Sequence, residues 1–389
     1  MKVIVFGTGT YCKNFIHYIR RFEILCFLDN DQNKWGEIYE GVPVLKPEDA
    51  DFSACDYVLI LIMRYKSVKD QLTALSVPDE KIKCYFDISD ITNVDPEVCL
   101  YNERVTFPKW IERADRERVF LLAHELTRNG VSVVLMHTAR LLQNMGYSVV
   151  ISGLIGGGLE LELKEEGIPY ISNVSMCYRS KRFKSCYRKL SFSIFGAVGV
   201  ADAVDSLADT DVPIIWWLHE SNNDNYGDFL VPKRKNIYYY GGGKRVLDLF
   251  KSYYWDRNIE ELLYFLPDDS IENEKDDIYR IAVIGAINYR KAQNIFIEAV
   301  EMLGKDIKRG VEFDLIGAFV EPVIDMDMVL KKNTEVKYLG ELSQIELKQY
   351  YGRLDVLVCC SRDDPMPVVV TQAMQYGILC IVSDQVGQS

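Results

Sequence analysis

The residues best suited to chemistry sit in two loops of the C-terminal third. Ile281-Ala-Val-Ile-Gly285-Ala-Ile-Asn-Tyr-Arg290-Lys291-Ala-Gln293 reads as a buried strand, a glycine turn and two adjacent cations opening an amphipathic helix. Helix N-termini attract anions through free N–H groups and the helix dipole. Cations there oppose the dipole and need a second reason to be present. A diphosphate supplies one; a solvated Arg-Lys pair with a salt-bridge partner is the other. Further on, Val356-Leu-Val-Cys-Cys-Ser361-Arg-Asp-Asp364-Pro-Met-Pro367-Val-Val-Val-Thr-Gln372 reads as strand, polar proline-bearing loop, and a helix beginning near Val368. The amides of Val368 and Val369 would cap a phosphate, Asp364 would face the pocket mouth, and Gln372, one turn further in, would reach a ribose. Taken alone, the same residues also describe a surface loop with an ordinary N-capping acid.

Earlier segments add candidates. Pro213-Ile-Ile-Trp-Trp-Leu-His219-Glu220 is a buried strand with a polar end, and open α/β sheets bind ligands at the carboxyl ends of their strands. His219 is thus either a site residue or a satisfied structural imidazole. Asn129-Gly130 precedes a helix with apolar Val131, Val134, Leu135, Leu141, Leu142 and Met145, near the i, i+3, i+4, i+7 spacing. Gly130 lets another molecule approach that helix head, or simply turns the chain. At the N-terminus, Val3-Ile-Val-Phe-Gly7-Thr-Gly9 runs from strand into glycine turn, with a helix around Tyr11–Arg21 and Asp29 at the end of the next strand. Gly7, Gly9 and Asp29 are the candidate nucleotide contacts of this segment. The third glycine of G-x-G-x-x-G is Cys12, however, and the favoured reading is an accessory module whose glycines only let the backbone turn.

The elements that must position these residues are short Val/Ile/Leu-rich runs, each followed by glycine and a helix-period segment. Strands are expected at Lys2–Phe6, Ile24–Leu28, Tyr57–Met63, Ser148–Ser152, Ile214–Leu218, Arg280–Ile284, Glu312–Ile316, Val356–Cys360 and Leu379–Ser383. Strands apolar throughout belong to parallel sheets covered on both faces, so the fold class is α/β. Two seams divide the chain. Residues 87–116 carry no clean period, and Pro267–Asp277 holds six acids against one Lys. The expected organisation is a small Rossmann-like domain at 1–90, a linker at 91–116, α/β domains at 117–266 and 278–389, and an acidic linker at 267–277.

At 389 residues the chain is long enough for two or three cores. Its apolar stretches are shorter than the roughly 18–20 residues of a spanning helix, and no secretory leader opens it. A net charge of −12 argues against bulk nucleic-acid binding. Ten cysteines without a C-x2-C pair, and four histidines, argue against structural zinc and for a cytoplasmic protein.

From about Glu117 to Ser389 the sequence resembles the GT-B glycosyltransferases of family 4, group 1 type. The resemblance rests on His-Glu-Leu-Thr-Arg-Asn-Gly at 124–130, Trp-Leu-His-Glu at 217–220, Gly-x4-Arg-Lys-Ala-Gln at 285–293, Tyr338-Leu-Gly340 and the Ser361–Met374 segment. The family's E-x7-E motif falls on Asp364 and Gln372. The resemblance implies a pair of Rossmann-like domains, and a retaining, metal-independent enzyme that needs no cofactor besides its nucleotide-diphosphate sugar. Arg290 and Lys291 would hold the donor diphosphate, Asp364 the donor sugar, Gln372 the ribose and His219 the sugar near its reacting carbon. Gly130, Gly285, Val368 and Val369 would line the donor. The acceptor would be a growing cell-surface glycan or a polyprenyl-linked sugar. The family continues beyond the point matching Ser389, so the C-terminal domain is expected to be incomplete. With a neutral Gln372 and the shorter Asp364, this leaves an alternative: a weak or inactive GT-B-like protein that binds sugar or a partner and assists another transferase.

Tyr178–Lys189 carries Arg179, Lys181, Arg182, Lys184, Arg188 and Lys189 and no acid. It is either a solvated loop or a patch for anionic lipid headgroups, which would place the protein peripherally on the inner membrane face. Asp-x-Asp, a metal-binding motif in other glycosyltransferases, recurs at Asp29/Asp31, Asp49/Asp51, Asp209/Asp211 and Asp325/Asp327. Four scattered matches in an acidic chain mark no metal site.

Overall fold

A computed structural model describes residues 1–63, 65–221, 233–268, 271, 275–320 and 335–388. Asp269, Glu272 and Glu274 of the acidic linker, and the Asp325/Asp327 pair, lie outside them. The chain forms two compact units, one of Met1–Arg128, Thr138–Ile215 and Val231–Tyr238, the other of Asn129–His137, Trp216–Leu230 and Tyr239–Ser389.

The first unit opens with strands β1 (Lys2–Phe6), β2 (Glu23–Leu28), β3 (Ile38–Tyr39), β4 (Val42–Leu45), β5 (Tyr57–Ile60) and β6 (Ile82–Cys84), in the order β3-β4-β2-β1-β5-β6. All pairings are parallel except the β3/β4 hairpin. Val3, Val5, Phe6, Phe27, Leu28 and Val58 are fully buried, as strands covered on both faces require. The helix Thr10–Ile19 follows β1 and buries Cys12, Phe15, Ile16 and Ile19. The residue standing at the third-glycine position is therefore a core thiol.

Residues 91–116, expected as a connector, are structured. They hold β7 (Glu97–Cys99), β8 (Arg104–Thr106) and the helix Phe107–Arg113, whose Phe107, Trp110 and Ile111 are buried. This β7/β8 hairpin adds antiparallel to β11 (Tyr170–Ile171). The parallel centre of the sheet is β12 (Phe192–Gly196), β9 (Arg118–Glu125) and β10 (Ser148–Ile155), with β9 in the middle. Val119 through Ala123 are completely buried.

In the second unit, β16 (Tyr279–Ile284), β17 (Val311–Ile316), β18 (Val336–Gly340), β19 (Val356–Cys359) and β20 (Leu379–Val382) form a wholly parallel sheet in the order β18-β17-β16-β19-β20. The chain moves outward from β16 to β18 and then crosses back to β19. The switch point lies between β16 and β19, where such sheets open a crevice beyond their strand ends. The helices Gln293–Met302, Gln344–Tyr351 and Val368–Gln375 cover the sheet. Gln344–Tyr351 is opened by a capping box in which Glu346 N–H donates to Ser343 Oγ at 3.3 Å and Ser343 N–H to Glu346 Oε2 at 2.8 Å.

Candidate active site

Both loops singled out by sequence leave the strands that flank the switch point. The first begins at Gly285 (φ +144°), directly after β16. It is pinned by its own polar groups: Lys291 N–H donates to Asn288 Oδ1 at 2.9 Å, and Gln293 Nε2 donates to Ala286 O at 2.9 Å. The cations do not open the helix as expected. Ala292 takes a left-handed conformation (φ +57°) and the helix starts at Gln293, so Arg290 and Lys291 stand in the loop itself. That placement removes the conflict between cations and the positive end of a helix dipole.

The second loop follows β19 and brings an acid to those cations. Lys291 Nζ donates to Asp364 Oδ2, and Arg290 lies 3.8 Å from the same oxygen. The side chains differ in access: Asp364 is 8% exposed, Lys291 17% and Arg290 41%. The backbone holds Asp364 from both sides, its N–H donating to Gln385 O at 3.1 Å and its carbonyl accepting from Gly387 N–H at 2.9 Å. Behind the loop, Tyr264 and Thr371 share a hydroxyl–hydroxyl bond of 2.6 Å. Burial, aided by the charge of Asp364, pushes the Tyr264 hydroxyl well above its ordinary range.

Next to the acid, Asp363 ties the loop to other parts of the second unit. Its Oδ1 accepts from Ser221 Oγ at 2.6 Å, and its carbonyl accepts from Arg290 at 2.8 Å. Arg245 reaches the same carboxylate at 3.5 Å and donates to Gln385 Oε1 at 3.1 Å. Sequence reasoning missed Asp363, Ser221, Arg245 and Gln385. The Asp363-Asp364 doublet was the available signal, since a second acid beside Asp364 needed a partner of its own.

His219 follows β13 (Ile214–Leu218) directly, and its ring lies 4.9 Å from that of Trp217. Its Nε2 is buried and makes no hydrogen bond to a described residue. Burial lowers its pKa to about 4, so the imidazole is neutral at pH 7. Gly242 packs closely against this ring, since a Cβ there would come within 3.1 Å of His219 Nδ1. Gly130, at the head of the helix Gly130–Asn144, faces Val368: a Cβ on Gly130 would sit 3.4 Å from Val368 Cγ2. Val368 and Val369 form the first turn of their helix, as expected. Gln372 lies one turn in, and its Oε1 accepts from the Tyr351 hydroxyl at 3.1 Å.

The remaining candidates belong to the first unit. Gly7 takes φ +106° and has no room for a side chain, because a Cβ would sit 2.6 Å from Ile62 Cγ1. Nothing crowds Gly9. Asp29, a candidate nucleotide contact under the less favoured reading, spends its carboxylate inside the module. Oδ2 accepts from Thr8 Oγ1 at 2.6 Å and Lys34 Nζ at 2.9 Å, and Oδ1 accepts from Asp31 N–H at 3.0 Å. Burial works to raise its pKa, and these bonds outweigh it, leaving the carboxyl below its ordinary value.

In the basic segment, half of the cations are likewise engaged. Arg179 donates to Asp202 and lies 3.8 Å from the centroid of the Phe86 ring, so it joins this segment to the turn that follows β6. Arg182 pairs with Asp95 at 2.6 Å and Lys184 with Asp209 at 3.0 Å. Lys181, Arg188 and Lys189 remain exposed on the helix Lys181–Tyr187 and its C-terminal end.

Three family descriptions match in succession: C2185-like, N-terminal over residues 1–83; glycosyl-transferase family 4 over 115–242; and glycosyl transferases group 1 over 267–389. No curated protein sequence matches the chain. Among solved structures, the fold is similar to that of Anabaena Alr3699/HepE in complex with UDP and glucose, at 12% identity and a TM-score of 0.55, over 69% of this chain and 81% of that one. WaaG, a glycosyltransferase involved in lipopolysaccharide biosynthesis, is similar at 11% identity and a TM-score of 0.55, over 70% and 82%. An alpha-glucosyltransferase in complex with UDP is similar at 10% identity and a TM-score of 0.53, over 69% and 80%. At such identities the likeness is one of fold, and that fold is GT-B. With both of its glycosyltransferase segments matched in order, the chain belongs to the group 1, family 4 glycosyltransferases.

Proposed function

We propose that this glycosyltransferase moves a sugar from a nucleoside-diphosphate sugar to a hydroxyl of a growing glycan or polyprenyl-linked acceptor, with retention of configuration and without a metal. One observation carries the reading: Arg290 and Lys291 meet at Asp364, on the loop that leads into the helix Val368–Gln375, at the switch point of a parallel sheet. That arrangement suits a diphosphate, with the cations on its oxygens and Asp364 on the hydroxyls of the sugar it carries. As the glycosidic bond breaks, charge builds on the leaving phosphate. Fixed cations aimed at that charge lower the barrier without reorganising. The acceptor hydroxyl would attack on the face the phosphate leaves, and a phosphate oxygen would take its proton. Neutral His219 suits a place beside the sugar, where a hydrogen bond to a hydroxyl needs no charge. Solved structures of the same fold hold UDP, which supports a nucleotide at this site.

Thermal unfolding in the presence of UDP, GDP, dTDP, ADP or NAD tests the reading. One nucleoside diphosphate should raise the melting temperature, since a ligand at 100 times its dissociation constant adds about 2.7 kcal/mol. If none of them does, the donor site is lost. The second reading, a sugar- or partner-binding protein assisting another transferase, then takes its place. The neutral Gln372 and the direct Lys291–Asp364 pair are the observations that favour it.

No helix among the described residues is long and apolar enough to cross a membrane. Peripheral docking at the cytoplasmic face would fall to Lys181, Arg188 and Lys189, the exposed cations of the segment that have no ion pair among the described residues. Each is worth about 1 kcal/mol near an anionic surface. Changing all three to Glu should abolish co-sedimentation with anionic liposomes, whereas Arg182→Glu also breaks the pair with Asp95. Unchanged sedimentation of the triple variant would remove the membrane from the proposal.

A further inference from the structure

We infer that the donor site accepts 2′-deoxyribonucleoside diphosphates nearly as well as their ribonucleoside counterparts, because the side chain within reach of the pentose is a neutral amide whose carbonyl already accepts one hydrogen bond from the protein. The inference rests on the donor-site reading above. The amides of Val368 and Val369 lie in the first turn of a helix that starts at the crevice. Gln372 is four residues on, about 6 Å along the axis and on the same face as Val368. A pentose attached to a phosphate at the helix N-terminus comes within its reach.

Tyr351 determines which end of that amide is presented. Its ring is 2% exposed, and burial pushes its hydroxyl far above the ordinary range, so the proton stays on and must be placed. Gln372 Oε1 at 3.1 Å is the nearer acceptor; Val369 O is 3.4 Å away. What is left for the pentose is Nε2, which can only donate, and the second lone pair of Oε1, a neutral acceptor. A carboxylate at this position would accept from both ribose hydroxyls in charge-assisted bonds. A site built that way rejects an analogue lacking a hydroxyl, because its own buried acceptor is left unpaired. The amide offers only neutral bonds, and the 3′ oxygen satisfies Nε2 as well as the 2′ oxygen does. Loss of the 2′ hydroxyl therefore leaves no acceptor of this side chain without a partner, since Oε1 keeps its bond from Tyr351.

The test is calorimetric binding of matched pairs to the full chain: UDP and dUDP, GDP and dGDP, ADP and dADP, read on whichever base binds most tightly. A preference for the ribonucleotide below about fivefold is expected for the wild type, and Gln372→Glu should raise that preference by at least about fivefold. A wild-type preference above fivefold overturns the inference and needs no variant to do so. So does an unchanged ratio in Gln372→Glu, which would show that the side chain does not face the pentose. If no member of any pair binds, the donor site itself is refuted, a result distinct from a failed ratio.

Discussion

Lys291→Ala is expected to lower turnover more than a hundredfold while leaving a folded protein. At an effective dielectric of about 20, a unit charge pair ~4 Å apart is worth on the order of 4 kcal/mol. A hundredfold loss needs only about 2.7 kcal/mol of it to be realised on the leaving diphosphate. The same change strips Asp364 of its closest partner, and an orphaned buried acid usually costs stability. Arg290, 3.8 Å from that oxygen, limits the cost, and the pair is confined to loops rather than strands. The activity loss should thus exceed what a modest fall in melting temperature explains. Lys291→Arg keeps the charge on a different fork and should recover part of the rate. Near wild-type turnover in Lys291→Ala would remove the cation from the reaction.

Much of this architecture was legible because buried parallel strands announce themselves. Val356–Cys359 and Leu379–Val382 lie within one residue of their expected ends, since an unbroken apolar run between turn residues has few other uses. β9 escaped for the converse reason: Val-Phe-Leu-Leu-Ala sits between charged residues with no glycine or proline, and such a run also suits a buried helix. The β7/β8 hairpin escaped because three-residue strands leave no measurable period. The types of the site residues were legible, but their pairing was not. Lys291 and Asp364 are 73 positions apart, and only the crossover back to β19 makes them neighbours. For the same reason the basic segment reads as a patch in sequence, while Asp95, Asp202 and Asp209 neutralise half of it in the fold. Local composition reports charge density; it does not report which acid the chain folds back to supply.

Gly317→Ala should be nearly as damaging as the loss of the cation, although residue 317 carries no chemistry. It follows β17 at φ +143°, where an L side chain is strained, and a Cβ there would lie 2.0 Å from Gly285 O. That carbonyl begins the loop carrying Arg290 and Lys291, and it is backbone, so no rotamer change relieves the collision. Gly285 is itself fixed by donating to Ile316 O at 2.9 Å, and Gly317 donates to Gly340 O at 2.8 Å. The strand ends must separate or the loop must move. Strain and overpacking together should cost about 3 kcal/mol, a fall in melting temperature of about 5–10 °C, with loss of nucleotide-induced stabilisation. Gly310→Ala is the control within the same unit: φ is +77° with nothing within 4 Å of the added carbon, so it carries backbone strain without the collision. It should cost about 1 kcal/mol and leave nucleotide binding intact. If the two variants melt alike and both still bind, close approach of the Gly285 and Gly317 backbones does not shape the site. If only Gly317→Ala loses the nucleotide, the contact between two strand ends holds the cations where the diphosphate needs them.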